Sequence, residues 1–291
     1  MASLREIRKR VRSVKNTQKI TGAMKLVAAS KLRRSQEAIV AARPYANALG
    51  GLLRRVATRV RGNSDEAPHP VLELRPIRRV LLVVLTSDRG LCGAFNTNIM
   101  RRAERFITEQ SSRFDHFEIA TIGRKGRDYF SKRNLATVRD FPDVFKALNF
   151  EQATEIARAM VAEYITHDLD GVFLVYNEFK SALTQRVVVQ DLLPIVAEEL
   201  PSGDAIDYIY EPSQQNVLEE LVPRYVATVV WRALLESSAS EQGARMTAMD
   251  AATKNAKELV DRLTLKYNRT RQAAITRELM EIVSGAEALK G

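Results

Sequence analysis

Cysteine is almost missing from this chain: Cys92 stands alone among 291 residues, so no internal disulfide can form and a reducing compartment is expected. Histidine is nearly as scarce. His69, His116 and His167 are scattered, and with one thiol they cannot assemble a soft-metal site. The longest apolar run, Val80 to Leu85, falls far short of the ~20 residues a bilayer-crossing helix needs. Proline is absent before Pro44, and no aromatic residue precedes Tyr45. What remains is an ordinary globular balance, 45% hydrophobic and 27% charged, which excludes wholesale disorder and a low-complexity fibre.

The formal charge of +10 is informative once located. Residues 1–62 carry sixteen Lys and Arg against Glu6 and Glu37, a net of +14, whereas the other 229 residues hold 29 basic and 33 acidic side chains. The basic character therefore belongs to one segment, which must face something acidic: nucleic acid, an anionic membrane surface or an acidic protein loop. An Arg-rich, acid-poor, amphipathic N-terminus is also the pattern of a mitochondrial transit peptide, but here the pattern continues past residue 40 without a cleavage-like break.

That segment reads as one helix. Leu4, Ile7, Val11 and Val14, then Ile20, Met24, Val27 and Lys31, follow three-and-four spacing with a phase slip near Thr17 and Gln18, and the helix reaches the Gly62-Asn63-Ser64 breaker with a bend expected at Pro44. Residues 214–289 behave similarly, with Pro223 as their one proline and Leu218, Val222, Val229, Met249, Ala256, Leu263, Leu279 and Ile282 at helical spacing. At 1.5 Å per residue these helices would run roughly 85 and 110 Å, against a radius of gyration near 19 Å for a compact chain of this size. Neither fits inside such a globule, so they are expected to pair as an antiparallel coiled coil and to bury further apolar surface in a partner. Small residues between Ala233 and Ala256 make a face suited to close helix approach.

Between the helices the period changes. Strands are expected at 80–85, 117–122, 171–176 and 185–192, and helices at 97–110, 124–133 and 151–168. This alternation implies an α/β class with a small open sheet of mainly parallel strands. Residues 62–76, with Pro68, Pro70 and Pro76, form the linker in, and Pro201-Ser-Gly203 lies on the way out.

A glycine-bearing loop after the first strand, Ser87 to Asn96, invites a phosphate-binding reading. It fails the test: only Gly90 and Gly93 occur, no lysine follows, and Phe95 occupies the helix entry, so a tight strand-to-helix turn is preferred. Cys92 is expected to be a small buried side chain rather than a reactive thiol. No serine or cysteine stands in a nucleophile-elbow pattern, and His167-Asp168, Glu198-Glu199 and Glu219-Glu220 form no catalytic constellation. No catalytic, cofactor-binding or metal-binding residues are expected. A basic coiled-coil nucleic-acid-binding or scaffold protein is the alternative, although the first helix offers no stacking aromatics before Tyr45.

Three blocks carry a family resemblance. Ile7-Arg-Lys-Arg-Val-Arg-Ser-Val-Lys-Asn-Thr-Gln-Lys-Ile-Thr-Gly-Ala-Met-Lys-Leu-Val-Ala-Ala-Ser-Lys31, the loop Ser87 to Asn96, and Ile275 to Ala288 resemble the γ subunits of F-type ATP synthases. In the last block the match lies at Ile275, Thr276, Glu278, Glu281, Gly285 and Ala286. The resemblance implies a non-catalytic central stalk, with residues 1–61 and 206–291 as the coiled coil and 62–205 as linker and Rossmann-like α/β domain. Its implied partners are the α and β subunits of the α3β3 head, the ε and δ subunits and the membrane c-ring, with no nucleic acid and no cofactor.

By position, the resemblance assigns Arg271, Gln272, Arg33 and Arg34 to contact with β subunits, and Met24, Gln242 and Arg245 to a coupling cluster on the facing helices. It assigns Tyr208, Tyr210 and Glu211 to the foot that meets the ring and ε, and Leu279, Ile282, Val283, Ala286 and Leu289 to an apolar bearing tip. With only Cys92 the chain lacks the dithiol switch of plant chloroplast relatives. Its start at Met-Ala-Ser-Leu-Arg-Glu, with no presequence, favours a bacterial source and a peripheral place on the cytoplasmic face of the inner membrane.

Overall fold

A computed structural model describes residues 3–62, 70–73, 76–133, 135, 137–182, 184–196, 210–211 and 213–288. The first element is α1, Leu4–Gly62, and the last is α5, Gln214–Ala288. Between them come β1 (Arg79–Leu85), α2 (Phe95–Gln110), β2 (His116–Ile122), α3 (Arg124–Ser131), β3 (Thr137–Phe141), α4 (Phe150–Thr166), β4 (Gly171–Phe179) and β5 (Gln185–Leu193). Neither Pro44 nor Pro223 divides its helix. The α/β class holds, with a central sheet that is mostly parallel.

The strand order is β3-β2-β1-β4-β5. β1 pairs in parallel with β2 and β4, β2 pairs in parallel with β3, and β5 closes the edge antiparallel to β4. β1 is covered on both faces, which is why its six residues from Val80 to Leu85 read as an unbroken apolar run. Leu81, Val83 and Leu85 join a core with Ile156 and Met160 of α4, Val222 and Leu234 of α5 and Leu53 of α1. Val80, Leu82 and Val84 join a second core with Phe95, Ile99 and Phe106 of α2 and Phe130 of α3. β3 was not expected from the sequence: Thr-Val-Arg-Asp-Phe has no buried residue, and pairing along β2 alone makes it a strand.

The chain forms two compact units, one of the residues up to Ala28 with those from Met246 onward, the other Ala29–Arg245. In the first, Thr253 donates to Thr21 at 2.8 Å and Lys25 pairs with Asp250 at 2.7 Å, so α1 and α5 run antiparallel. Ile7, Val11, Val14, Gln18, Thr21, Lys25 and Ala28 form the shielded line of α1 there, and Met249, Thr253, Ala256, Val260 and Leu263 that of α5. Both lines are unbroken heptads. The expected phase slip is therefore absent: Ile20 and Val27 are 60% and 57% exposed and Lys31 is exposed, while polar or small Gln18, Thr21 and Ala28 hold the seam. Hydrophobicity alone followed the wrong stripe.

In the second unit the antiparallel pairing is carried by Ser35 against Ser238 at 3.1 Å, and Gly50 lies beside Tyr225. From Ala233 to Gly243 α5 is buried on every side rather than on one face. Its small residues let α1 and the sheet approach together: Ser240 Oγ donates to the Asn177 carbonyl of β4 at 3.1 Å, and Gly243 lies against Ala182.

Candidate functional site

The turn from β1 to α2 occupies the carboxyl end of the central strand, where open α/β sheets bind ligands. Most of its polar groups are spent within the protein, with Asp88 Oδ2 buried and lacking a hydrogen-bond partner. Asp88 Oδ1 accepts from the backbone N–H of Arg124 at 3.1 Å, at the first residue of α3, and from that of Asp143 at 2.9 Å. An anion-binding helix start is thereby filled by the chain's own carboxylate. Asn96 donates to Ser87 Oγ at 2.8 Å and to Cys92 Sγ at 3.3 Å, and accepts from the Ser87 backbone at 2.9 Å, which ties the loop to α2. Arg124 pairs with Asp143, and Arg124 and Lys146 hold that carboxyl below its usual range. Cys92 is buried, and burial pushes its thiol up against the hydrogen bond from Ser87, so it is a poor nucleophile. The loop is a built turn with no phosphate cradle.

His167, at the end of α4, stands 3.2 Å from Glu118 and 3.4 Å from Glu163, and Arg139 also pairs with Glu163. These links join β2, β3 and α4 in an edge network with no nucleophile. Among the described residues no group of three or more His, Cys, Asp or Glu could hold a metal ion, and no helix is long and apolar enough to cross a membrane. A groove of about 520 Å³ is lined by Ile39, Arg43 and Tyr45 of α1, Phe150 of α4, and Trp231 and Leu235 of α5. It is mostly apolar.

The residues expected to make contacts divide by exposure. Arg33 and Arg34 are exposed on α1, Arg33 with an i,i+4 partner in Glu37 at 2.9 Å. Arg271 and Gln272 are exposed on α5, and Met24 is half-buried on α1. Gln242 is buried, and Arg245 is held by Glu241 at 2.6 Å. Tyr210 is half-buried and Glu211 exposed, whereas Tyr208 and Leu289 lie outside the described residues. Past Ala274 every described side chain of α5 is exposed: Leu279, Ile282 and Val283 show 57%, 68% and 53% of their surface, and Ala286 is exposed too. Such an apolar stripe on a helix without an intrachain cover needs one from outside.

Sequence reading missed Asp88 and Glu241. For Asp88 the available signal was an acid three residues past the end of a buried strand, in the turn that leads into the next helix. For Glu241 it was an acid within a run of small residues that is buried all round.

Comparison with known proteins bears on the same features. A family profile described as ATP synthase matches residues 3–289. The chain is 54% identical over 291 residues to the ATP synthase gamma chain of Anaeromyxobacter sp. (strain Fw109-5), covering all of both chains. It is 50% identical over 292 residues to that of Geobacter metallireducens, again covering all of both. Among solved structures, a chain of the Tetrahymena thermophila mitochondrial ATP synthase central stalk and c-ring aligns with 29% identity and a TM-score of 0.62, over 80% of this chain and 99% of that one. A rotor chain of the Euglena gracilis mitochondrial ATP synthase shares the fold at 21% identity and a TM-score of 0.65, over 94% and 98% of the two chains. End-to-end identity at this level, together with paired long helices flanking a mostly parallel sheet, means that the chain belongs to the ATP synthase gamma-chain family.

Proposed function

We propose that the chain is the non-catalytic central shaft of an F-type ATP synthase, turning inside an α3β3 head and coupling proton flow through a membrane c-ring to nucleotide chemistry on the β subunits. The observation that carries this reading is the exposed apolar stripe Leu279, Ile282 and Val283 at the end of a 75-residue helix. A bearing needs contacts that do not lock at one angle, and apolar burial is non-directional whereas ion pairs prefer particular geometries. Ala286 and Leu289 extend the bearing. Arg271 and Gln272 meet a β subunit below it. Arg33 and Arg34 face an acidic loop of β, and Met24, Gln242 and Arg245 belong to the coupling region. Tyr208, Tyr210 and Glu211 meet the ring and ε, and δ completes the complex. Residues 1–61 and 206–291 serve as shaft and 62–205 as its foot, on the cytoplasmic face of a bacterial inner membrane.

The test is reconstitution with α, β, ε, δ and the membrane sector. Reversing Arg33 and Arg34 together to glutamate should lower the protons pumped per ATP more than reversing Lys257 and Lys266, two exposed bases of α5. Equal pumping by the two double variants rejects the basic-track assignment, and ATP turnover by the purified chain alone rejects the non-catalytic one.

A further inference from the structure

Glu241 and Arg245 are a turn apart on α5 and enclosed, with side chains 6% and 11% exposed. Arg245 Nη2 donates to Glu241 Oε1 at 2.6 Å and to the backbone carbonyl of Gly90 at 3.2 Å. Gly90 sits in the exposed turn Arg89–Leu91, whose last residue has φ +64° and is 64% exposed. On its other sides this turn is anchored to α3 through Asp88 and to α2 through Asn96. Asp88, Cys92 and Lys31 are the further charged or titratable groups around the pair. Buried ion pairs are poor sources of stability, since apolar residues of similar volume often serve as well or better, and their best-attested use is to specify an arrangement. Here the arrangement is visible: the carboxylate aims a guanidinium whose donor reaches a single loop carbonyl.

We infer that Glu241 is a positioning residue that acts through Arg245 to latch the Arg89–Leu91 turn to α5, so that the turn follows the long helix without slack. The role in coupling rests on the shaft reading; the latch itself does not. A rotor transmits torque only as stiffly as its parts are joined, and a carbonyl fixed to α5 removes one degree of freedom from a turn that otherwise hangs on α2 and α3.

The informative variant is E241L/R245M, which removes both charges and keeps the volume, so that folding survives. R245M alone leaves Glu241 buried without its partner, and E241Q keeps an amide oxygen for Arg245. In the full chain, tryptic cleavage of the exposed Arg89–Gly90 bond, which requires the turn to leave α5, should accelerate about tenfold or more in E241L/R245M and less in E241Q, with β1 and β4 hydrogen-exchange protection and the unfolding midpoint unchanged. In the reconstituted complex, E241L/R245M should pump at most about half as many protons per ATP as the unaltered chain. Unchanged cleavage at Arg89, or acceleration shared by the whole unit in step with lost stability, overturns the latch. Faster cleavage with an unchanged pumping ratio overturns its part in coupling. If the unaltered chain itself supports no pumping, the shaft reading falls, and the cleavage measurement still decides the latch.

Discussion

Replacing Gly123 by alanine strikes the point where β1, β2, β3 and α3 meet. Gly123 has φ +93° and ψ 142°, a region in which a side chain is strained, at a cost of about 1–3 kcal/mol. An added Cβ would lie 2.1 Å from the Thr86 carbonyl oxygen and 2.8 Å from its carbon, where ordinary contact begins near 3.4 Å. The backbone must open, and three hydrogen bonds hold it shut: Gly123 N–H to the Phe141 carbonyl at 2.9 Å, Thr86 N–H to the Ile122 carbonyl at 2.8 Å, and Gly126 N–H to Thr86 Oγ1 at 2.8 Å. With about 0.5–1.5 kcal/mol for each bond weakened, the total is about 2.5–7.5 kcal/mol, a large share of a typical 5–15 kcal/mol. Trp231, the single tryptophan, packs edge-on against Phe150 and reports on this unit. With a urea slope of about 3 kcal/mol per M, its fluorescence midpoint should fall by about 0.8–2.5 M in G123A. Gly51→Ala is the control: it lies within α1, a Cβ there meets nothing nearer than Arg55 Nη2 at 4.0 Å, and the change should stabilise by about 0.5–1 kcal/mol. A G123A midpoint within about 0.3 M of the unaltered chain refutes the steric argument.

Leu53, fully buried beneath Val222 and Val226, should cost about 2–5 kcal/mol as alanine in the same urea assay, whereas Leu26, exposed on α1, should change stability by less than about 0.5 kcal/mol. Asp250 is held below its ordinary value of 3.8, first by the hydrogen bond from Lys25 and then by that from Lys254. Its folded form is the stronger acid, so its stabilisation is present above 3.8 and lost as pH falls through the lower folded value. Thermal melts of the unaltered chain and D250N, followed by helical circular dichroism, should differ at neutral pH and converge as the pH approaches about 2; a constant gap contradicts the assignment. At the end of α5, L279S/I282S should leave the melting temperature of the isolated chain unchanged because both side chains already face water, while weakening assembly with α and β. In the complex, removing residues 288–291 should be milder for torque than removing 275–291; equal loss would mark a specific docking element rather than a bearing.

Much of the architecture was written locally. The helix bounds at Leu4 and Gln214, the buried run of β1 and the turn before α2 follow from spacing, breakers and apolar content, which act over a few residues and leave their mark in the order of the chain. The likeness of three blocks to a family gave the family and the proposed contact residues, because residues assigned to face partners carry no pattern that the chain's own folding requires. The tertiary structure alone decided what depends on neighbours distant in sequence. β3 exists because β2 offers an open edge, and its own residues have no buried face. The α1 seam runs through Gln18, Thr21 and Ala28 instead of Ile20 and Val27, because a heptad register is set by which line fits the facing helix, where Thr21 meets Thr253 and Lys25 meets Asp250. Asp88 became the cap of α3, and Glu241 the aim of Arg245, only when folding removed them from water and left each acid to find its donor inside the protein.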